Sequence, residues 1–466
     1  MSTFSGLNSA YSGLVAARRG LDVVGQNVAN VNTPGYTRQR VSTSAAPALA
    51  QVGRFSSGVS VGQGVGVDGI ARLGSLQLDT RVRSTAAVAG FTAVRANAFA
   101  ALEQGLKEPG KNGLSASLQE FSAAWQGVVS KPGDNTSAAV VIDQAQELAV
   151  KLRTGYDDVA AQWNSLHADL QDMTSELNAA AGQVADLNAQ IRSTLAAGGN
   201  ANELMDQRSA AITTLSALSG ATVRESRDGM VDVLVDGNAL VSGDSARRLE
   251  VSGDRTMGAG TGPVVTWSHR GDGLDARAAV GGEMGGAVSM LASARAGGGL
   301  AAAAESYNTV ARGLADSVNA LHRTGHTTDG RTGLAFFSYD PADAARSLAV
   351  VPNDASGIAA GAAGKGALDT SVADAISKLD SADKLWASFV TSTGAATRTE
   401  LQQANLASVA AVGAQDAQLA NASVDLDEEN VNLLAYQHAY QGAARVMTAI
   451  DEMLDTLINR TGIVGR

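Results

Sequence analysis

A mainly α-helical rod with a small β insertion is the architecture this sequence predicts, and three observations carry it. Leu152, Tyr156, Val159, Trp163, Leu166, Leu170, Met173, Leu177, Ala180, Val184, Leu187 and Ile191 alternate at four and three residues, the spacing of one face of a long helix in a hairpin or coiled coil. From Ala221 to about Val280 the period falls to two, with Val231, Val233 and Val235 separated by Asp232 and Leu234. Both ends of the chain carry helices with two distinct lines of side chains, one of larger apolar residues and one mostly small.

The N-terminal helix comes first. Phe4, Leu7, Tyr11, Leu14, Leu21 and Val28 form its larger line, and Gly6, Ala10, Gly13, Ala17 and Gly20 run beside it. Glycine in a helix interior costs about 1 kcal/mol against alanine, so this segment should order only when packed. Asn27, Asn30, Asn32, Thr33, Pro34, Gly35 and Tyr36 close it: Pro34 pushes Thr33 out of the helical region, Gly35 takes the dihedrals of a turn, and asparagine side chains bond nearby backbone. Val59, Val61, Val65 and Val67 then alternate as a strand. Helices are expected from about Leu76 to Lys107 and Leu114 to Val129, each ended by Pro-Gly. The long helix follows and stops at Gly198-Gly199-Asn200, and a second helix, Glu203 to Leu218, packs back on it.

The β unit has Asp228-Gly229, Asp236-Gly237 and Gly271-Asp272-Gly273 as its turns. Gly281 to Gly299 reads as a flexible return, and Tyr307, Val310, Leu314, Val318 and Leu321 mark a further helix. Helical periodicity resumes near Ser381 and continues past Leu419. Asp425 and Glu428 stand at capping-box spacing before the last helix, which has acids in its first turn where the helix dipole favours them. That helix carries Leu433, Tyr436, Tyr440, Ala443, Met447, Ile450, Leu454 and Leu457, with Ala435, Ala439, Gly442, Val446, Ala449 and Met453 as a second line. The organisation this implies is 1–34 with 425–466 as a terminal-helix part, 35–220 with 281–424 as a helical rod, and 221–280 as a small antiparallel β domain.

Composition excludes several function classes. A net charge of −11 argues against nucleic acid, and the absence of cysteine removes disulfide and thiolate chemistry. No run of apolar residues approaches the roughly 20 that cross a bilayer, and the N-terminus has no basic region leading into an apolar core and cleavage site, which argues against membrane insertion and Sec-type secretion. Gly64 to Gly69 formally match a dinucleotide fingerprint without the β-α-β context that it requires. Gly361 to Gly366 lack both the first glycine of a phosphate loop and its Ser or Thr. The acidic turns lack the spaced carboxylates of a calcium loop. His322 and His326 have zinc-like spacing, but Gly325 interrupts the helix that would align them, so a capped helix end is the better reading. No cofactor is expected.

The terminal strings resemble a known family. Ser5-Gly6-Leu7 with Asn32-Thr33-Pro34-Gly35-Tyr36 is similar to the N-terminal signature of the axial proteins of the bacterial flagellum, and Ile70-Ala71-Arg72 fits the same pattern. Ser423 to Glu429, Tyr436-Gln437, Ala439-Tyr440 and Asp451 to Ile458 resemble the C-terminus of the hook-associated protein 1 family, as do Asn319, His322, Gly325, Phe336 and Phe337 in the middle. The resemblance implies a structural, non-enzymatic protein of the hook-filament junction, exported by the flagellar type III apparatus. It implies a ring of copies of itself between the hook protein and a second junction hook-associated protein, with a cytosolic chaperone on the C-terminal helix before export. Phe4, Leu7, Tyr11, Gly13, Leu14, Leu21, Asn27, Asn30, Asn32, Pro34, Gly35 and Tyr36 become candidate assembly residues; Leu433, Tyr436, Tyr440, Met447, Ile450, Leu454 and Leu457 become candidates for both assembly and chaperone. Asn430 departs from the family pattern, and the short β insertion implies that an additional outer domain is absent or reduced. Alternatives left open are a neighbouring hook-associated protein, a flagellin, against which the Asn-Thr-Pro-Gly-Tyr turn speaks, and a metal-dependent hydrolase using His322, His326 and Asp329.

Overall fold

The computed structural model describes residues 3–47, 62–258, 260–271 and 276–460. The expected strand positions Val59 and Val61 and part of the Gly271-Asp272-Gly273 turn lie outside them. Helix α1 (Thr3–Ala29) leads into a two-stranded antiparallel ribbon, β1 (Gln39–Ala45) and β2 (Val65–Arg72), with a register shift between Ser42 and Thr43. The glycine-rich 64–69 stretch is therefore ribbon, as its alternation requires.

Four helices follow: α2 (Leu76–Leu106), α3 (Leu114–Ser130), α4 (Asn135–Ala196) and α5 (Asn202–Ser219). Ser75 caps α2 through its side chain, Lys107 ends it in the left-handed conformation, and Asp134 caps α4 by accepting from Thr136 and Ser137. At 62 residues α4 is roughly 90 Å long. Every member of its four-three stripe is buried or half-buried, with Leu152, Leu170, Leu177, Val184 and Ile191 fully enclosed.

The β unit is antiparallel, as its period of two requires: β3 (Thr222–Glu225), β4 (Val231–Val235), β5 (Asn238–Ser242) and β6 (Ser245–Ala246) form one sheet in that order, and β7 (Leu249–Gly253) pairs with β8 (Pro263–Trp267). Asp236 and Gly237 both take positive φ, 51° and 71°, in the two-residue turn between β4 and β5, as a primed hairpin turn demands. Two asparagines of α4 fasten the unit to the rod. Asn178 donates to the Leu249 carbonyl and accepts from its N–H, and Asn188 does the same with Val231.

The expected flexible return is a correction: Gly282–Leu291 form α6, whose Met284, Ala287 and Met290 are fully buried. Its glycines permit contact with α2, since a Cβ at Gly286 would sit 2.7 Å from the Phe91 carbonyl oxygen. Helix α7 (Gly299–His322) comes next, followed by short pieces: β9 (Gly325–His326), β10 (Phe337–Ser338), α8 (Ala344–Ser347), β11 (Ala349–Val350), β12 (Gly361–Ala362) and α9 (Ser371–Ser377). Asn319 gathers them into the core by accepting from the N–H groups of Phe336 and Phe337 and donating to the Phe337 carbonyl.

Helix α10 (Ser381–Ala422) runs back along α2, with Arg95 paired to Glu400 and Gln418 donating to Asp79; α11 (Leu426–Asp455) closes the order. By length and composition α2 could cross a membrane, which corrects the expectation that no stretch reaches that limit. Alanine is the reason: the helix is apolar through small side chains that let α10, α6 and α5 pack closely against it.

Candidate assembly interface

The two terminal helices pair within the chain, antiparallel and in a seven-residue register. Gly20 meets Tyr436, Gly13 meets Ala443 and Gly6 meets Ile450. The approach is closest at Gly20, where a Cβ would lie 2.5 Å from the Tyr436 ring; at Gly13 it would lie 4.0 Å from the Ala443 methyl. Thus the small line of α1, with Ala10, Ala17 and Gly20 buried, receives the larger line of α11. The helical cost of the glycines is offset by the depth to which α11 side chains enter.

The other candidate positions distribute around this contact. On α11, Leu433, Tyr436, Met447, Ile450 and Leu454 are half-buried, whereas Tyr440, and Leu457 in the π-helical turn that follows the helix, are exposed and so belong to the outer face. The whole second line, from Ala435 to Met453, is exposed as well. On α1, Leu7, Leu14 and Leu21 are half-buried and Tyr11 is 57 % exposed. The side chain of Phe4 lies outside the described residues. With Val431, Leu434 and Val446 also open to solvent, the pair presents an apolar outer surface beyond the one it fills itself.

The turn after α1 is fixed by Asn27, which is 1 % exposed. Its side chain donates to the Gln39 carbonyl at 2.9 Å and accepts from the Gln39 N–H at 3.0 Å and from the Tyr36 hydroxyl at 2.9 Å. Burial, then the charges of Glu203, Asp206 and Glu429, push the Tyr36 phenol up to about 12, so it remains a donor. Asn30 donates to the Gln26 carbonyl and accepts from the Thr33 hydroxyl. Gly35 has φ 79°, the left-handed value expected of it. Asn32, Pro34 and Gly35 are exposed on the rim of a cleft of about 570 Å³ shared with α2, α5 and the end of α10.

Sequence reasoning missed the ion pairs that lock this turn. Arg38 binds Glu428 at 2.8 Å and Glu429 at 2.7 Å, and Glu429 is almost fully buried. Asp425 caps α11 by accepting from the N–H groups of Asp427 and Glu428, but the capping box is only half made, because Glu428 turns to Arg38. That charge-assisted bond holds the Glu428 carboxyl below its ordinary range. Asp206 accepts from the Thr37 N–H and from Arg72. The one signal available was a pair of arginines following the turn, Arg38 and Arg40, and an acidic triplet opening α11, nearly 400 residues apart.

The histidine pair does not converge on a shared ligand. His322 is fully buried; its Nδ1 lies 2.8 Å from the Leu334 carbonyl and its Nε2 accepts from the Ala359 N–H at 3.0 Å, which fixes a neutral ring with the proton on Nδ1. Burial holds its pKa below the usual value. Asp329 is engaged by Thr327 and Arg331.

Comparison with known proteins agrees with this geometry. A family model described as the flagellar hook-associated protein FlgK helical domain matches residues 99–337, more than half of the chain. Models described as flagella basal body rod protein and flagellar basal body rod FlgEFG protein C-terminal match 7–37 and 417–460, the segments that hold α1 with its turn and α11. Flagellar hook-associated protein 1 of Bacillus subtilis (strain 168) is 28 % identical over 516 aligned residues covering all of both chains. That of Salmonella typhimurium is 28 % identical over 71 % of this chain and 59 % of its own. The structure of the flagellar hook junction protein FlgK from Burkholderia pseudomallei superposes with a TM-score of 0.61 at 15 % identity, covering 75 % of this chain and all of that one, a likeness of fold. With its helical middle matched by that family and its paired ends by the rod-protein models, the chain belongs to the flagellar hook-associated protein FlgK family.

Proposed function

We propose that this chain is a structural subunit of the hook-filament junction that polymerises through its terminal helices and catalyses no reaction. The observation that carries the reading is the outer surface of the α1 and α11 pair, where Tyr11, Val431, Leu434, Tyr440, Val446, Met453 and Leu457 remain exposed after the helices have met. Burying a full apolar side chain is worth about 1.5 to 3 kcal/mol, so several of these together favour association with neighbouring subunits.

In this reading residues 1–34 with 425–466 form the assembly part, 35–220 with 281–424 the rod, and 221–280 the small β domain. The partners are further copies in a ring, the hook protein on one side and a second junction hook-associated protein on the other. Export proceeds through the flagellar type III apparatus, with a cytosolic chaperone covering the outer face of α11 beforehand. The extracellular flagellum is then the site of action.

Antibody labelling of isolated flagella in electron microscopy, with a deletion strain beside it, tests the proposal. A single band at the outer end of the hook and bare hooks in the mutant are expected. Label along the filament or within the hook would assign the chain to another axial position, and label absent from flagella would overturn the reading.

A further inference from the structure

Where the β1–β2 ribbon, α2, α5 and the β3–β4 turn meet, a pocket of about 480 Å³ opens, and three arginines line it: Arg72, Arg83 and Arg208. Arg83 and Arg208 are each only 8 % exposed. Their bonds are to neutral groups. Arg83 donates to the Ser209 hydroxyl at 3.0 Å, and Arg208 donates to the Asn188 amide oxygen at 2.9 Å and the Gly229 carbonyl at 2.7 Å. Among the described residues no carboxylate lies within 4 Å of either guanidinium, and the buried Nε of Arg83 has no hydrogen-bond partner.

The nearby acids are otherwise placed. Asp206 is taken by Arg72 at 2.5 Å and by the Thr37 N–H. Asp79 accepts from Gln418 at 2.6 Å, and Glu225 stands exposed on the end of β3 at the mouth of the pocket. A buried cation left without a contacting counter-charge is strongly unfavourable, and two around one opening reinforce each other. Burial, followed for Arg208 by the charges of Arg72 and Arg83, lowers the pKa of both groups. The opposing charges of Asp79 on Arg83 and of Glu225 on Arg208, both in the pocket lining, do not cancel it.

We propose that this pocket is an oxyanion site, in which Arg83 and Arg208 bind a carboxylate or phosphate group supplied either as a free ion or by an acidic side chain of a second copy of the chain. Arginine suits that chemistry, because its planar fork presents paired donors to two oxygens. The net charge of −11 makes acidic side chains plentiful on any neighbouring copy. Both sources would place negative charge beside the Arg83 guanidinium, whose buried Nε has no hydrogen-bond partner.

Thermal unfolding of the full-length monomer in inorganic phosphate, against chloride at matched ionic strength, tests the site. A saturable rise in midpoint of about 2 °C is expected in phosphate. Arg83→Met should abolish the phosphate response while leaving the midpoint in chloride unchanged or raised, because an unpaired buried charge has gone. Arg83→Lys and Arg208→Lys keep the charge and guard against misfolding of the first variant; each should weaken the response roughly tenfold. No saturable rise in the wild type, or an equal rise in Arg83→Met, overturns the proposal. Sedimentation at raised protein concentration separates the sources: phosphate that suppresses self-association identifies a neighbour's carboxylate, and unchanged self-association identifies a free ion.

Discussion

The stripe along α4 and the stripe along α11 carry the same four-three spacing and end in different situations. On α4 each member is enclosed by the chain's own elements, from α3 and α7 to the β unit. On α11 the corresponding side chains are only half-buried, Tyr440 is exposed, the second line of the helix faces solvent, and Glu429 is the only fully buried residue of the helix among those described. Periodicity therefore reports that a helix has a face to bury, and only the count of partners reports where. The body supplies its own partners; the terminal pair supplies one and lacks the next.

The largest expected effect lies in the body. Trp163 is 1 % exposed and donates its indole N–H to the Leu291 carbonyl, so Trp163→Ala should cost about 3 to 5 kcal/mol in urea unfolding and shift the whole cooperative transition. Next comes the lock between the turn and α11. Arg38→Ala strands the buried Glu429 and should release about 2 to 3 kcal/mol of local protection, seen as faster amide exchange over 426–455 with the body unchanged. Equal loss of protection throughout would mean that the termini and body unfold as one.

Smaller effects separate the two faces of the pair. Gly20→Ala drives a methyl into the Tyr436 ring and should cost about 1 to 3 kcal/mol in helix pairing, whereas Gly13→Ala has room and should gain up to about 1 kcal/mol of helix propensity. Exchange rates of α1 in the two variants check this contrast. In the body, His322 is held neutral by burial, so the folded state binds fewer protons than the unfolded chain between its lowered pKa and 6.5. Stability is full above about pH 6.5 and falls as pH drops toward the lowered value, with a slope of no more than about 1.4 kcal/mol per pH unit. Urea midpoints at pH 7.5 and 5.5 should show the fall in wild type and a smaller one in His322→Gln. Least of all, Leu434→Ser on the outer face of α11 should change monomer stability by less than about 0.5 kcal/mol while reducing assembly into flagella; unchanged assembly would remove Leu434 from the contact surface.

How much of this was legible in the sequence follows the range of each interaction. The bounds of α2, α3, α5 and α10 were readable to within a few residues, because caps, Pro-Gly stops and periodicity are local signals. Helix α6 was not, since Gly285 and Gly286 carry the composition of a loop and reveal their purpose only against α2. Strand β1 offered no clean alternation, and it is held by β2 and by Asn27. Asn27, Asn30 and Tyr36 were identified as important residues of the turn, but the pairing of Arg38 with Glu429 and the gathering of Arg72, Arg83 and Arg208 are long-range facts that no spacing encodes. Likewise the sequence displayed two lines on each terminal helix without saying which would meet; a small line facing a larger one is the solution that fills space.

The recesses on α1 at Gly6, Gly13 and Gly20 recur every seven residues, about 10.5 Å along the axis, and Tyr436, Ala443 and Ile450 recur at the same pitch on α11. Slid by less than that pitch, one turn for instance, α11 would bring the Tyr436 ring against Ala17, where a methyl occupies the depth that Gly20 leaves open. The two helices thus mesh like a toothed rack: their relative positions are stepped, and passage from one step to the next requires them to part.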